Sequence, residues 1–147
     1  MDERRVLLVE DDLLLRRLMQ RSLAARGYRV AEAGGVAEAL RELALFAPEV
    51  VVLALGLPDG SGWDVARHLA EQPAPHVPVI ICSSHPATAQ DLRLGPVAGY
   101  IPKPFDPGVL ADAVNLALAA EAPPQPRAAA GPLDRDQEAA FFSSLAH

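Results

Sequence analysis

Lysine is almost missing from this 147-residue chain: twelve of its 13 basic residues are arginine, and the remaining one is Lys103. Cysteine is equally scarce. The single Cys82 excludes an internal disulfide and suits a reducing compartment; set in an apolar run, it reads as a packing residue. No apolar stretch approaches the ~20 residues that cross a bilayer. No charged-then-apolar leader opens the sequence, which points to a cytoplasmic protein and away from a membrane partner. Base is not in excess either. The net charge is -6 and the arginines are scattered, which speaks against nucleic-acid binding through a basic patch. No internal repeat is visible.

What is present is apolar surface: 50% of the residues are hydrophobic, enough for a substantial core in one domain. Short apolar runs alternate with segments of helical period. Strands are expected at Arg5–Val9, 28–33, Val50–Ala54, 77–82 and 99–102. Helices are expected at 12–26, 36–46, 63–71, 85–94 and 107–120. Asp12 offers an N-cap to the first helix and Gly27 a stop. Pro48 limits the second, and Pro107 suits the first turn of the last. Residues 58–62 (PDGSG) read as a turn by their chemistry.

Five strand-then-helix units with apolar strands imply an α/β fold, a parallel sheet covered on both faces with right-handed crossovers. In such sheets the site lies outside the carboxyl ends of the strands. Those ends carry Glu10 and Asp11, Ala54, Ser83 and Lys103.

The motifs VLLVEDD, LGLPDGSG, PVIICSS and GYIPKPF resemble the receiver domain of two-component response regulators. None of the four is diagnostic alone; their order and spacing together are. The resemblance covers about residues 4–120. It implies a flavodoxin-like three-layer α/β/α fold with strand order 2-1-3-4-5, and a partner that is a histidine kinase or another two-component signalling protein. Members accept a phosphoryl group on an aspartate with the help of Mg2+. Carried over by position, Glu10 and Asp11 match the metal-binding acidic pair, and Gly56 the residue whose carbonyl completes the metal site. Ser83 matches the hydroxyl that bonds the phosphoryl oxygen, Tyr100 the aromatic that changes rotamer, and Lys103 the lysine that pairs with the phosphoryl group. Pro104 matches the following proline, usually cis. The acceptor aspartate falls on Ala54, whose methyl group is no nucleophile.

With one carboxylate gone, Mg2+ binding at Glu10 and Asp11 is expected to be weak or absent. Lys103 is expected to turn toward Glu10 or Asp11. Asp59, beyond Pro58, is expected to point to solvent and not to substitute as acceptor. A lysine retained at this one place, in a chain that otherwise uses arginine, argues against a long-decayed site.

Three readings stay open. One is a stand-alone receiver-like module, not an enzyme, acting through phosphorylation-independent protein binding. Another is an ordinary phosphoryl-accepting regulator carrying an engineered change at position 54. The third is a small-molecule-binding pseudo-receiver. The stretch between Ser83 and Tyr100 is slightly shorter than is common in the family, which puts the family's usual dimer surface in doubt and leaves the oligomeric state open. Along the chain, residues 1–121 form the receiver-like domain, 122–132 a Pro- and Ala-rich linker, and 133–147 a short tail. Phe141 and Leu145 share a helical face of that tail and are candidates for docking.

Overall fold

The computed structural model describes residues 4–72, 77–84 and 97–120. Five strands form one parallel sheet in the order β2-β1-β3-β6-β7: β1 (Arg5–Val9), β2 (Arg29–Ala33), β3 (Val50–Ala54), β6 (Val79–Ser83) and β7 (Gly99–Pro102). With a small hairpin set aside, this is the expected 2-1-3-4-5 order. Every residue of β3 and β6 is buried, whereas the edge strand β2 buries only Ala33. Their unbroken Val, Leu and Ile runs follow from that position, since a central parallel strand has no face turned to water.

Alternation along the strands splits the core in two. Val6, Leu8, Val50, Val52, Ile80 and Cys82 face α1 (Leu13–Ala25) and α4 (Pro107–Ala120), meeting Met19, Leu23, Leu110 and Val114. Leu7, Val9, Val51, Leu53, Val79 and Ile81 face α2 (Val36–Phe46) and α3 (Gly62–Ala70), meeting Ala39, Val65, Ala66 and Leu69.

Local signals act where the sequence put them. The Asp12 carboxylate accepts from the Leu15 amide and caps α1, and Gly27 takes φ 90 beyond its end. α2 stops at Ala47, which is left-handed, one residue before Pro48. Residues 58–62 depart from a plain turn. Gly56–Leu57 (β4) and Gly60–Ser61 (β5) pair antiparallel across Pro58 and Asp59, and α3 starts one residue early, at Gly62, behind a capping box of Ser61 and Asp64. β6 begins at Val79 because that residue opens the ladder with β3, while the Pro78 carbonyl takes the Val51 amide. The helix expected at 85–94, the linker and the tail with Phe141 and Leu145 lie outside the described residues.

Gly62 ties the hairpin to the sheet. Its amide donates to the Leu55 carbonyl at 2.9 Å, and a Cβ built on it would sit 2.2 Å from the Ala54 carbonyl oxygen. Backbone cannot yield as a flexible side chain can, so Gly62→Ala is expected to cost about 2 kcal/mol. Urea unfolding should show this as a lower midpoint at unchanged slope.

Candidate functional site

Register brings the chemistry-bearing residues to one end of the sheet. Val9 pairs with Leu53, Ala54 with Cys82, and Ser83 with Pro102, so Glu10, Ala54, Ser83 and Lys103 leave neighbouring strands at the same edge. Glu10 is held there by its backbone, whose amide donates to the Ala33 carbonyl at 3.0 Å. Its side chain is 1% exposed and both carboxylate oxygens are engaged. Oε1 accepts from Lys103 Nζ at 2.6 Å, and Oε2 from the Asp12 amide at 3.1 Å. Of the two acids Lys103 was expected to approach, it takes the buried one. Its own amide donates to the Ser83 carbonyl at 2.7 Å, and the bond to Pro104 is cis.

Asp11 is exposed beside this pair, and Gly56 is exposed at the start of the hairpin. Ala54 is 2% exposed, so its methyl group lies in the core floor of the site. Ser83 and Tyr100 are buried, Tyr100 within the core layer under α2 and α3. Behind them, burial pushes the Cys82 thiol up to about 12; nearby Lys103 lowers it and Glu10 raises it.

The donor set falls short of a firmly held Mg2+. That ion needs a near-octahedral shell of oxygens. Here two carboxylates stand near the strand ends, and one is already bonded to a lysine and a backbone amide. Among the described residues no group of three or more acidic, histidine or cysteine side chains gathers in one place.

Two contributors escaped sequence reasoning. Arg16 donates from Nη1 to the Glu10 carbonyl at 2.9 Å and from Nε to Glu32 at 3.0 Å, bracing the acidic turn against β2. A basic residue one turn into the helix that follows an acidic pair was the available signal. Asp59 is exposed and does not approach Lys103, but it has a task. Its Oδ1 accepts from the Val36 amide at 2.7 Å and its Oδ2 from the Ala37 amide at 3.0 Å. α2 starts behind Gly35, which has no side chain to cap it, and Asp59 supplies the missing acceptor from the hairpin.

Those two backbone amides hold the Asp59 carboxyl below its ordinary range. A depressed carboxyl contributes stability that is present above its unfolded pKa and lost as pH falls through the folded one. Asp59→Asn is therefore expected to lower the melting temperature at neutral pH, with the gap to the parent closing in acid. A gap that stays constant with pH would contradict the cap.

A five-stranded parallel sheet in this order, with helices packed on both faces, is the flavodoxin-like fold of CheY. A receiver domain protein (CheY-like) from Methanospirillum hungatei JF-1 superposes with a TM-score of 0.73 over 81% of this chain and 96% of that one; at 24% identity the likeness concerns the fold. The response regulator receiver domain family matches residues 6–115, and the chain belongs to that family. The non-phosphorylated HemR receiver domain from Leptospira biflexa is 31% identical, with a TM-score of 0.74 over 84% of this chain and all of that one (100%). Among curated proteins, the KDP operon transcriptional regulatory protein KdpE of Escherichia coli is 36% identical over 77% of this chain. The transcriptional regulatory protein PdtaR of Mycobacterium tuberculosis is 31% identical over 78%. The chain spans about half the length of these relatives, 50% and 57%. Receiver domains are signalling modules. No helix among the described residues is long and apolar enough to cross a membrane.

Proposed function

We propose that this chain is a receiver domain of a two-component pathway that takes no phosphoryl group at the usual strand end and signals through protein contact. Ala54 stands at the acceptor position, and Glu10, Asp11, Gly56, Ser83, Tyr100, Lys103 and Pro104 keep the positions of the metal and switch residues. The carrying observation is the pairing of a buried methyl group at Ala54 with a Lys103–Glu10 ion pair at 2.6 Å. The lysine's charge is already met, so a phosphoryl group is not needed to hold it in place. Mg2+ binds weakly, through Glu10 and Asp11. The partner is a histidine kinase or another two-component protein in the cytoplasm, and recognition involves neither nucleic acid nor membrane.

A second reading is favoured by one specific fact. Lys103 is the only lysine in an arginine-using chain and stands where phosphoryl chemistry wants a compact ammonium. In that reading Ala54 replaces an aspartate in an otherwise working receiver. A small-molecule role has less behind it. The groove of about 300 Å3 between α2 and α3, lined by Leu40, Leu43, Pro48, His68 and Leu69, contains none of the strand-end residues.

The test is direct. The unaltered chain, incubated with an acyl phosphate and Mg2+, should show no gain of a phosphoryl group by intact-mass spectrometry under mild conditions. A phosphorylated peptide containing Asp11 or Asp59 would overturn the proposal.

A further inference from the structure

α1 leaves an apolar ridge uncovered. Its inner face buries Met19 and Leu23, but Leu14 and Leu18, one turn apart on the outer face, are 73% and 45% exposed. Arg21 and Ala25 continue the same exposed line, with Arg17 beside it. The helix contains no acid. Arg16 is paired with Glu32 and Arg26 with Asp112, whereas no ion pair among the described residues engages Arg17 or Arg21. A second copy meeting this face would set like charges against each other. The ridge fits a helix that is apolar at one end and acidic at the other.

Residues 133–147 carry that pattern in their sequence. At helical spacing Asp134, Glu138, Phe141 and Leu145 fall on one line. Read backwards, their intervals of four, three and four residues equal those of Leu14, Leu18, Arg21 and Ala25. Laid antiparallel, Leu145 meets Leu14, Phe141 meets Leu18, Glu138 meets Arg21, and Asp134 reaches the Ala25–Arg26 end.

The connection allows it. α4 packs beside α1, with Ser22 Oγ donating to the Pro107 carbonyl at 2.9 Å and Arg26 bonded to Asp112 at 3.0 Å. From Asp112 to Ala120 the helix advances ~12 Å. Residues 121–132, rich in proline, then span up to ~37 Å when extended. That length is enough to reach back to the carboxyl end of α1, where an antiparallel tail would have to begin.

We infer that residues 133–147 dock as an antiparallel helix on the Leu14–Leu18–Arg21 face of α1. The docked tail covers that face, so an acidic, leucine-bearing helix of another protein binds there only by displacing it.

A nitroxide on Ala146→Cys in the full chain tests this, since the buried Cys82 thiol, pushed up to about 12, stays unlabelled. Amide signals of Leu14, Arg17 and Leu18 should be lost and should return when the label is reduced. Phe141→Glu with Leu145→Glu, changes that leave the domain core untouched, should also restore them. Arg21→Glu should weaken the loss, and adding Glu138→Arg should bring it back. Loss centred on β7 and the outer face of α4, or no local loss, would overturn the assignment. So would loss that survives the glutamate pair, or that passes between labelled and unlabelled copies in a mixture.

Discussion

Ala54→Asp is expected to turn a chain that takes up no phosphoryl group into one that does. A carboxylate at this strand end would be the nucleophile. Its oxygen would bond to the phosphorus of an acyl phosphate or a phosphohistidine while the donor's bond to phosphorus breaks and the donor leaves with the electron pair. The groups that would assist that step stand at the same edge of the sheet. Glu10 and Ala54 leave adjacent strands, and Ser83 ends the strand on the other side of β3. Lys103 Nζ is already at the edge, 2.6 Å from Glu10. The new carboxylate would complete three acids for Mg2+ and compete with Glu10 for the lysine.

The same change costs stability when no metal is present, because a second carboxylate is added next to a buried one at a position 2% exposed. We expect a loss of about 2 kcal/mol, reduced by Mg2+ because the ion binds only the folded state. The parent's melting temperature should barely respond to Mg2+. Mass spectrometry reads the first effect and thermal melting with and without Mg2+ the second. A variant that neither gains phosphoryl nor responds to Mg2+ would mean that the site has drifted beyond position 54.

The apolar strands were legible because burial on both faces leaves a parallel strand no use for polar residues; Val50–Leu53 and Val79–Cys82 needed no periodicity to be seen. Asp12 and Gly27 were legible because caps act within a turn of themselves. The lysine's partner was narrowed to two acids because the strand ends offered no other charge. The β4–β5 hairpin was not legible, since two-residue strands carry no alternation. Asp59 was invisible as a cap for a different reason. The helix end it satisfies belongs to residues 36 and 37, brought near only by the fold. Proximity of this kind has no spacing rule, whereas Arg16, one helical turn beyond the acids it supports, has one that went unused.

Removing Lys103 should do more damage than removing both members of its pair. Glu10 is 1% exposed, and Lys103, at 20%, is the only cation among the described residues bonded to its carboxylate. Lys103→Met would leave that carboxylate in the core with the Asp12 amide as its one remaining donor among the described residues. An uncompensated buried charge costs about 3 kcal/mol, which for a chain of this size lowers the melting temperature by roughly 10 °C. Glu10→Gln in the same chain removes the charge, yet its amide oxygen can still accept from Asp12. The double variant should therefore recover most of the loss, leaving a large coupling energy in a double-mutant cycle. Lys103→Arg should fall between, because a planar guanidinium keeps the charge but cannot take the place of a compact ammonium 2.6 Å from one oxygen. Should Lys103→Met melt with the parent, the pair would be a surface contact in effect, and the lysine's position at the strand ends would no longer support a role for it there.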